Sequence, residues 1–136
     1  HGNQPIQHMI YLYDWCGAWA KTQSRAREVM DRLYRPAPDG YCGDEDNGQT
    51  SAWYVWSALG FYPVCPASGS YALGAPRFAR IDVTLPNGKQ LHIRAPQAET
   101  GCVFNQATLE GRKQVGPCVQ KNDLDKGGKF EWSVQN

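Results

Sequence analysis

The hydrophobic period of this chain changes once, near Pro66, and that change decides what it can fold into. Before it, apolar residues recur at helical spacing. Ala26, Val29, Met30 and Leu33 fall at i, i+3, i+4 and i+7, and Ala52, Val55, Trp56 and Leu59 share a second such face. After it they alternate, first Ile81, Val83 and Leu85, then Leu91 and Ile93, with polar residues between them. Pro63 and Pro66 stand at the junction and prevent a helix from crossing it. Helices followed by strands, with no internal repeat, read as an α+β fold.

Breakers subdivide both parts. An aromatic-rich segment from Ile6 to Cys16 ends at Gly17, and a helix is predicted from Thr22, as its N-cap, to Leu33. Another is predicted over Gln49 to Leu59, with Gly60 just past its end. Between them, Pro36, Pro38, Gly40 and Gly43 make a stiff loop of the length that binding loops have. In the second part Asn87-Gly88 predicts a type I′ hairpin, and Glu110-Gly111 a second hairpin turn. Phe130, Trp132 and Val134 read as a last strand after Gly127-Gly128, and the whole β part as antiparallel.

Composition excludes some function classes. With 41% hydrophobic and 20% charged residues and a net charge of +1, the chain has no basic run that would make nucleic acid its main partner. No apolar stretch reaches the roughly 18–20 residues of a membrane span. The chain has no initiator Met, and its first residues lead straight into a helical pattern, so it reads as starting in the middle of something. Of the five cysteines, Cys102 and Cys118 flank the Glu110-Gly111 turn, where a cross-strand disulfide and an oxidising compartment are one reading. Cys16, Cys42 and Cys65 lack metal-ligand spacing and read as buried thiols.

The chemistry concentrates in Gly43-Asp44-Glu45-Asp46-Asn47-Gly48, a glycine-bounded acidic loop running into a helix that carries Trp53, Tyr54 and Trp56. Carboxylates for proton transfer beside flat rings suit a carbohydrate-processing site. Two close carboxylates also raise the pKa of one of them, with Glu45 pointing elsewhere. The bland reading is that Asp44 and Asp46 only complement a helix N-terminus. An EF-hand fails, because Gly48 stands where a ligand is needed. Trp53 and Trp56 read as core more than as sugar platforms, and Asp14, Asp31 and the Arg25–Arg27 pair as solvated helix faces. Asp123 and Asp125 read as turn residues.

Four stretches carry a family resemblance: GDEDNGQTSAWYVWSALGFYPVCP at 43–66, GNQP with HMIYLY within 2–13, KTQSRAREVMDRLY at 21–34, and YALGAPRFARIDVTLPNGK at 71–89. In these the chain resembles glycoside hydrolase family 92, the calcium-dependent exo-α-mannosidases. The resemblance implies a protein several times longer, with an N-terminal β-sandwich, a catalytic (α/α)6 barrel and C-terminal strands. Residues 1–66 would be the last helices of that barrel with the acidic catalytic loop, and 67–136 the C-terminal antiparallel β segment. It implies an inverting mechanism, Asp46 as general base and Asp44 assisting it, with the general acid, a Glu of an upstream motif, outside this sequence. Asn3, Gln4 and His8 would contact substrate, and Asn3 and Gln4 would ligate Ca2+.

Here the chain departs from the family, which usually has Asn-Glu-Pro where this sequence has Asn3-Gln4-Pro5, and His-His where it has Gln7-His8. Losing the acid at Gln4 should weaken calcium binding, or mark a mannose-1-phospho-6-mannose substrate whose phosphodiester repels a carboxylate. His8 reads equally as a substrate contact or a buried, hydrogen-bonded histidine. The implied partners are a mannose-containing glycan and the upstream remainder of the enzyme, in a secreted, periplasmic or cell-surface setting. The competing reading is a non-catalytic carbohydrate-binding or structural fragment, which exposed aromatics on the strands, from Phe104, Phe130 and Trp132, would favour.

Overall fold

A computed structural model describes residues 1–135. Two 3-10 segments, Gln4–Ile6 and Met9–Cys16, lead into α1 (Trp19–Leu33), and the acidic loop leads into α2 (Gln49–Leu59). Three residues per turn place Tyr11 and Asp14 on one face of the second 3-10 segment, and both are buried. The first helix starts at Trp19, not at Thr22, with no side-chain cap. Thr22 lies inside it on the buried face, with Gln23, Ala26 and Met30. Its hydroxyl is taken by Asp14 rather than by the helix end, so the capping signal was real chemistry spent elsewhere.

The strands form two sheets. In the smaller, β2 (Ser70–Leu73) lies between β1 (Phe61–Tyr62) and β7 (Cys118–Gln120). The larger has the order β3-β4-β8-β5-β6, from β3 (Arg80–Thr84), β4 (Gln90–Arg94), β8 (Gly128–Ser133), β5 (Gln106–Leu109) and β6 (Arg112–Lys113). The fold is thus α+β, but the β part is not antiparallel throughout. After a short helix, α3 (Lys121–Leu124), the last strand inserts between two hairpins and runs parallel to β4, Leu91 facing Gly128 and Ile93 facing Phe130. Its central place buries Phe130 and Trp132 completely, which an edge position could not.

The type I′ geometry expected at Asn87-Gly88 occurs instead at the other hairpin. Gly88 is left-handed but Asn87 is not, and Pro86 fixes the residue before them in the negative-φ region. The loop is therefore a type I turn closed by a glycine bulge rather than type I′. Glu110 and Gly111 are both left-handed, at φ 49° and 74°, which is the type I′ geometry.

One core packs Ile93, Leu109, Phe130 and Trp132 with Trp19 and Trp56, and a neighbouring one packs Tyr11, Met30, Trp53 and Tyr62. The indoles of Trp19 and Trp132 both donate to the Gly74 carbonyl at 3.1 Å, joining a helix and a strand at one acceptor. Gln23 does the same for α1: its buried amide donates to the Phe104 carbonyl and accepts from the Phe104 amide, each at 2.9 Å. All five cysteines are free. Cys118 sits on β7 against β2 instead of opposite Cys102, so no disulfide forms across the hairpin. Cys16, Cys42 and Cys65 are exposed, not buried, because each lies in a loop or at a helix end.

Candidate functional site

Two glycines let the leading segment touch the acidic loop. A Cβ at Gly43 would stand 2.1 Å from the Gly2 carbonyl oxygen, and one at Gly2 would stand 2.9 Å from that of Cys42. No side chain fits at either position, so backbone rests on backbone there. The loop then turns through three consecutive left-handed residues, Asp46, Asn47 and Gly48, at φ 48°, 57° and 87°. Asp, Asn and Gly are the residue types that tolerate this region best, which accounts for the local sequence. Amides of α2 close the loop, Gln49 N on Asp46 O and Thr50 N on Glu45 O, both at 3.2 Å.

The three acids have divided their work. Glu45 turns back to the start of α2, where its carboxylate accepts from the Ser51 amide at 3.2 and 3.3 Å and from the Ser51 hydroxyl. It therefore meets one of the orphan N–H groups and the positive end of the helix. Among the described residues no donor binds the carboxylates of Asp44 or Asp46, and both residues are exposed. Asp46 borders an open hollow of about 440 Å3 with Gln49, Ala52, Trp56 and Tyr62 along it. Trp53 is fully buried, its indole N–H donating to the Gln7 carbonyl at 3.0 Å, and Trp56 stacks on Tyr71 with centroids 5.0 Å apart. Trp53 is a core residue, and the half-buried Trp56 packs against the core while bordering the hollow.

Residues 3–8 come to the same place. Gln4 donates from Nε2 to the Asp44 carbonyl at 2.8 Å and to the Thr50 hydroxyl at 3.2 Å, and its side-chain oxygen Oε1 has no hydrogen-bond donor among the described residues. Asn3 is exposed and in extended conformation, and its side chain caps nothing. Both offer neutral oxygens, the donor type that a hard cation such as Ca2+ takes. No cluster of three or more His, Cys, Asp or Glu capable of holding a metal occurs among the described residues. His8 is half-buried, one residue beyond the wholly buried Gln7. Beneath them, Tyr34 donates to the Thr50 carbonyl at 3.1 Å and meets a ring nitrogen of His1 at 2.9 Å, while His1 lies edge-on to Trp53. Burial pushes the Tyr34 hydroxyl well above its ordinary pKa, so it is a neutral donor.

Sequence reasoning read Thr50 as a residue of the helix start and Gln7 as a departure from a His-His pair, and missed the bond between them and the capping role of Glu45. No local pattern marks them, because each acts across a turn or about forty residues of chain. It also misplaced Asp14, which is buried instead of solvated. Thr22 donates to its Oδ1 at 2.5 Å, its Oδ2 has no partner among the described residues, and burial pushes its pKa up to about 7. Of the other charges expected to be solvated, Asp31 pairs with Arg77 at 3.3 Å and Arg27 donates to the Pro76 carbonyl. Asp123 and Asp125 pair with Lys126 and Lys121. Phe104, Phe130 and Trp132 are all buried, so none of them is a stacking platform for a glycan. No helix among the described residues is long and apolar enough to cross a membrane.

The catalytic-domain model of glycosyl hydrolase family 92 matches residues 1–136. A family 92 inverting mannosidase of Bacteroides thetaiotaomicron is 47% identical, with a TM-score of 0.89 over 99% of this chain and 18% of that one. A family 92 α-mannosidase of the same organism is 33% identical, with a TM-score of 0.91 and the same coverage. An uncharacterised secreted glycosidase of Arthroderma benhamiae is 23% identical over 98% of this chain. The chain spans about 18% of the length of each of these relatives.

Proposed function

This chain belongs to glycosyl hydrolase family 92, and we propose that it is the C-terminal part of an inverting exo-α-mannosidase, supplying the general-base loop. The helices of residues 1–66 then complete an (α/α)6 barrel begun upstream, and the sheets pack beside it. The observation that carries this reading is the division of labour in the acidic loop. Glu45 meets the needs of the helix, while Asp44 and the left-handed Asp46 are exposed, their carboxylates without a hydrogen-bond partner among the described residues. A left-handed residue other than glycine persists where the surroundings over-determine it, as at functional sites.

In this mechanism Asp46 takes a proton from a water as that water attacks the anomeric carbon of a terminal α-mannoside. An acid on the opposite face, outside this chain, protonates the leaving oxygen. Asp44 shares the water. Asn3 and Gln4 are the residues of this chain that would hold Ca2+, which when bound would supply Lewis-acid interaction with oxygen ligands. The neutrality of Gln4 supports a second reading, in which the substrate is a mannose-1-phospho-6-mannose phosphodiester and the leaving group a phosphate monoester. The Gln4 amide makes a bond to the Asp44 carbonyl that a carboxylate could not donate. Secretion, or display in the periplasm or at the cell surface, follows from a glycan substrate and agrees with the secreted relative.

The test is hydrolysis of 4-nitrophenyl α-mannoside by the intact polypeptide. Asp46→Asn is expected to lower kcat by about 10²–10⁴. Release of the β-anomer first, seen by NMR, supports inversion. An Asp46→Asn enzyme with parental kcat removes Asp46 from the role of base. Comparing mannobiose with mannose-1-phospho-6-mannose separates the two substrates, and a ratio strongly favouring mannobiose counts against the phosphodiester.

A further inference from the structure

The hydroxyl of Thr50 joins two segments more than forty residues apart, and its whole hydrogen-bonding capacity is used. A hydroxyl has one proton and two lone pairs. The proton goes to the Asp44 carbonyl at 2.8 Å, and the lone pairs accept from Gln4 Nε2 at 3.2 Å and Gln7 Nε2 at 3.1 Å. Thr50 and Gln7 are both buried, so water does not replace the bond between them. The Asp44 carbonyl receives a further bond from Gln4 at 2.8 Å. Two residues further on, Asp46 and Asn47 hold the left-handed conformation that non-glycine residues keep only where neighbouring structure imposes it. The amides of Gln49 and Thr50 fasten the far side of that turn, to Asp46 and Glu45. On the near side the fastening is Thr50 with its two glutamines.

We propose that Thr50 is a positioning residue, whose hydroxyl, gripped by Gln4 and Gln7, clamps the acidic loop and sets where the carboxylates of Asp44 and Asp46 stand. It touches neither substrate nor the reacting atoms. This inference rests on the reading of Asp44 and Asp46 given above, and it adds a positioning device: two glutamines that donate to one threonine. A carboxylate at position 4 or an imidazole at position 7 would alter the donors this clamp uses. The clamp therefore binds the identity of residues 4, 7 and 50 together.

Valine matches threonine in shape and lacks the hydroxyl, whereas serine keeps it. In the intact polypeptide with 4-nitrophenyl α-mannoside, Thr50→Val is expected to lower kcat about a hundredfold, with KM within about threefold of the parent. Thr50→Ser should restore kcat to within about threefold of the parent. A merely structural role would not separate these two variants at equal stability. Amide hydrogen exchange in residues 43–49 gives a readout independent of activity: it should quicken about tenfold in Thr50→Val and not in Thr50→Ser. Parental kcat and parental exchange in Thr50→Val, or equal losses in both variants, would overturn the clamp. If Thr50→Val does not fold, Gln7→Met, which removes one donor, is read by the same exchange measurement. A parent that leaves the mannoside intact, or an Asp46→Asn variant with parental kcat, refutes the proposed function instead. The exchange comparison then still decides whether Thr50 clamps the loop.

Discussion

Asp14 should make this protein less stable as the pH rises through neutrality, and Asp14→Asn should abolish that dependence. The carboxyl is 7% exposed, receives one hydrogen bond from Thr22 and leaves Oδ2 without a partner. Burial penalises its charged form, so its pKa rises from an ordinary 3.8 to about 7. Tyr11 and Cys118, the titratable groups coupled to it, are themselves pushed up by burial and stay neutral at pH 7. Between those values the folded protein binds a proton that the unfolded chain has released. The stabilisation is thus fully present below pH 4, falls as the pH rises, and is gone above about 7. At 1.36 kcal/mol per pH unit the loss amounts to about 4 kcal/mol. Asparagine keeps an acceptor for Thr22 but buries an unpaired amide, a cost of about 1–3 kcal/mol at every pH. The variant should therefore be the less stable protein at pH 4 and the more stable one at pH 8. Denaturant titrations of the intact polypeptide from pH 4 to 8, with hydrogen exchange in residues 9–24 as the local probe, would show the two curves crossing. Parallel curves would mean that the carboxyl ionises without cost, and the argument from burial would fail.

Three further outcomes follow from the packing and the caps. Glu45→Ala removes the carboxylate that meets the start of α2 and should cost about 1–2 kcal/mol, read from thermal melts at low salt. Gly60→Ala forces a side chain onto a residue at φ 99° and brings its Cβ to 2.8 Å from the Pro76 ring, for a loss of at least about 2 kcal/mol. A melt unchanged by either substitution refutes the corresponding constraint. Trp132→Ala empties the centre of the larger sheet and leaves the Gly74 carbonyl with Trp19 as its indole donor, and should cost about 3–5 kcal/mol in denaturant titrations.

What was legible in the sequence was whatever depends on neighbours along the chain. Periodicity and Gly60 place α2 at its observed bounds, and the alternation of Ile81 with Val83 and of Leu91 with Ile93 gives the first hairpin. Errors arose where a partner distant in sequence claimed a residue. Thr22 has the chemistry of a cap, but Asp14 takes its hydroxyl eight residues back. Asp14 in turn reads as solvated because nothing local shows that the face it shares with Tyr11 turns inward. The parallel pairing of β4 with β8 is not encoded in either strand, since alternation fixes which face is buried and not which neighbour lies alongside. In the same way the acidic loop stands out by its composition, while the residues that hydrogen-bond beneath it, Thr50, Gln4 and Gln7, are ordinary polar side chains until the fold makes them converge.

The backbone of the acidic loop also separates the two aspartates. At position 46 a left-handed φ favours Asp or Asn, so the geometry alone explains a short polar residue there but not its charge. Asn47, next to it in the same conformation, shows that the uncharged residue suits the turn equally well. Asp44 has no such conformational reason, since its φ is negative and its carbonyl, not its carboxylate, receives the clamp. Nor does helix capping account for either carboxylate, because Glu45 already occupies the start of α2. Charge at 44 and 46 thus has no structural role that the fold reveals. Asp46→Asn should preserve the turn and delete only the charge, so a fall in activity with that variant would report on the carboxylate and not on the loop.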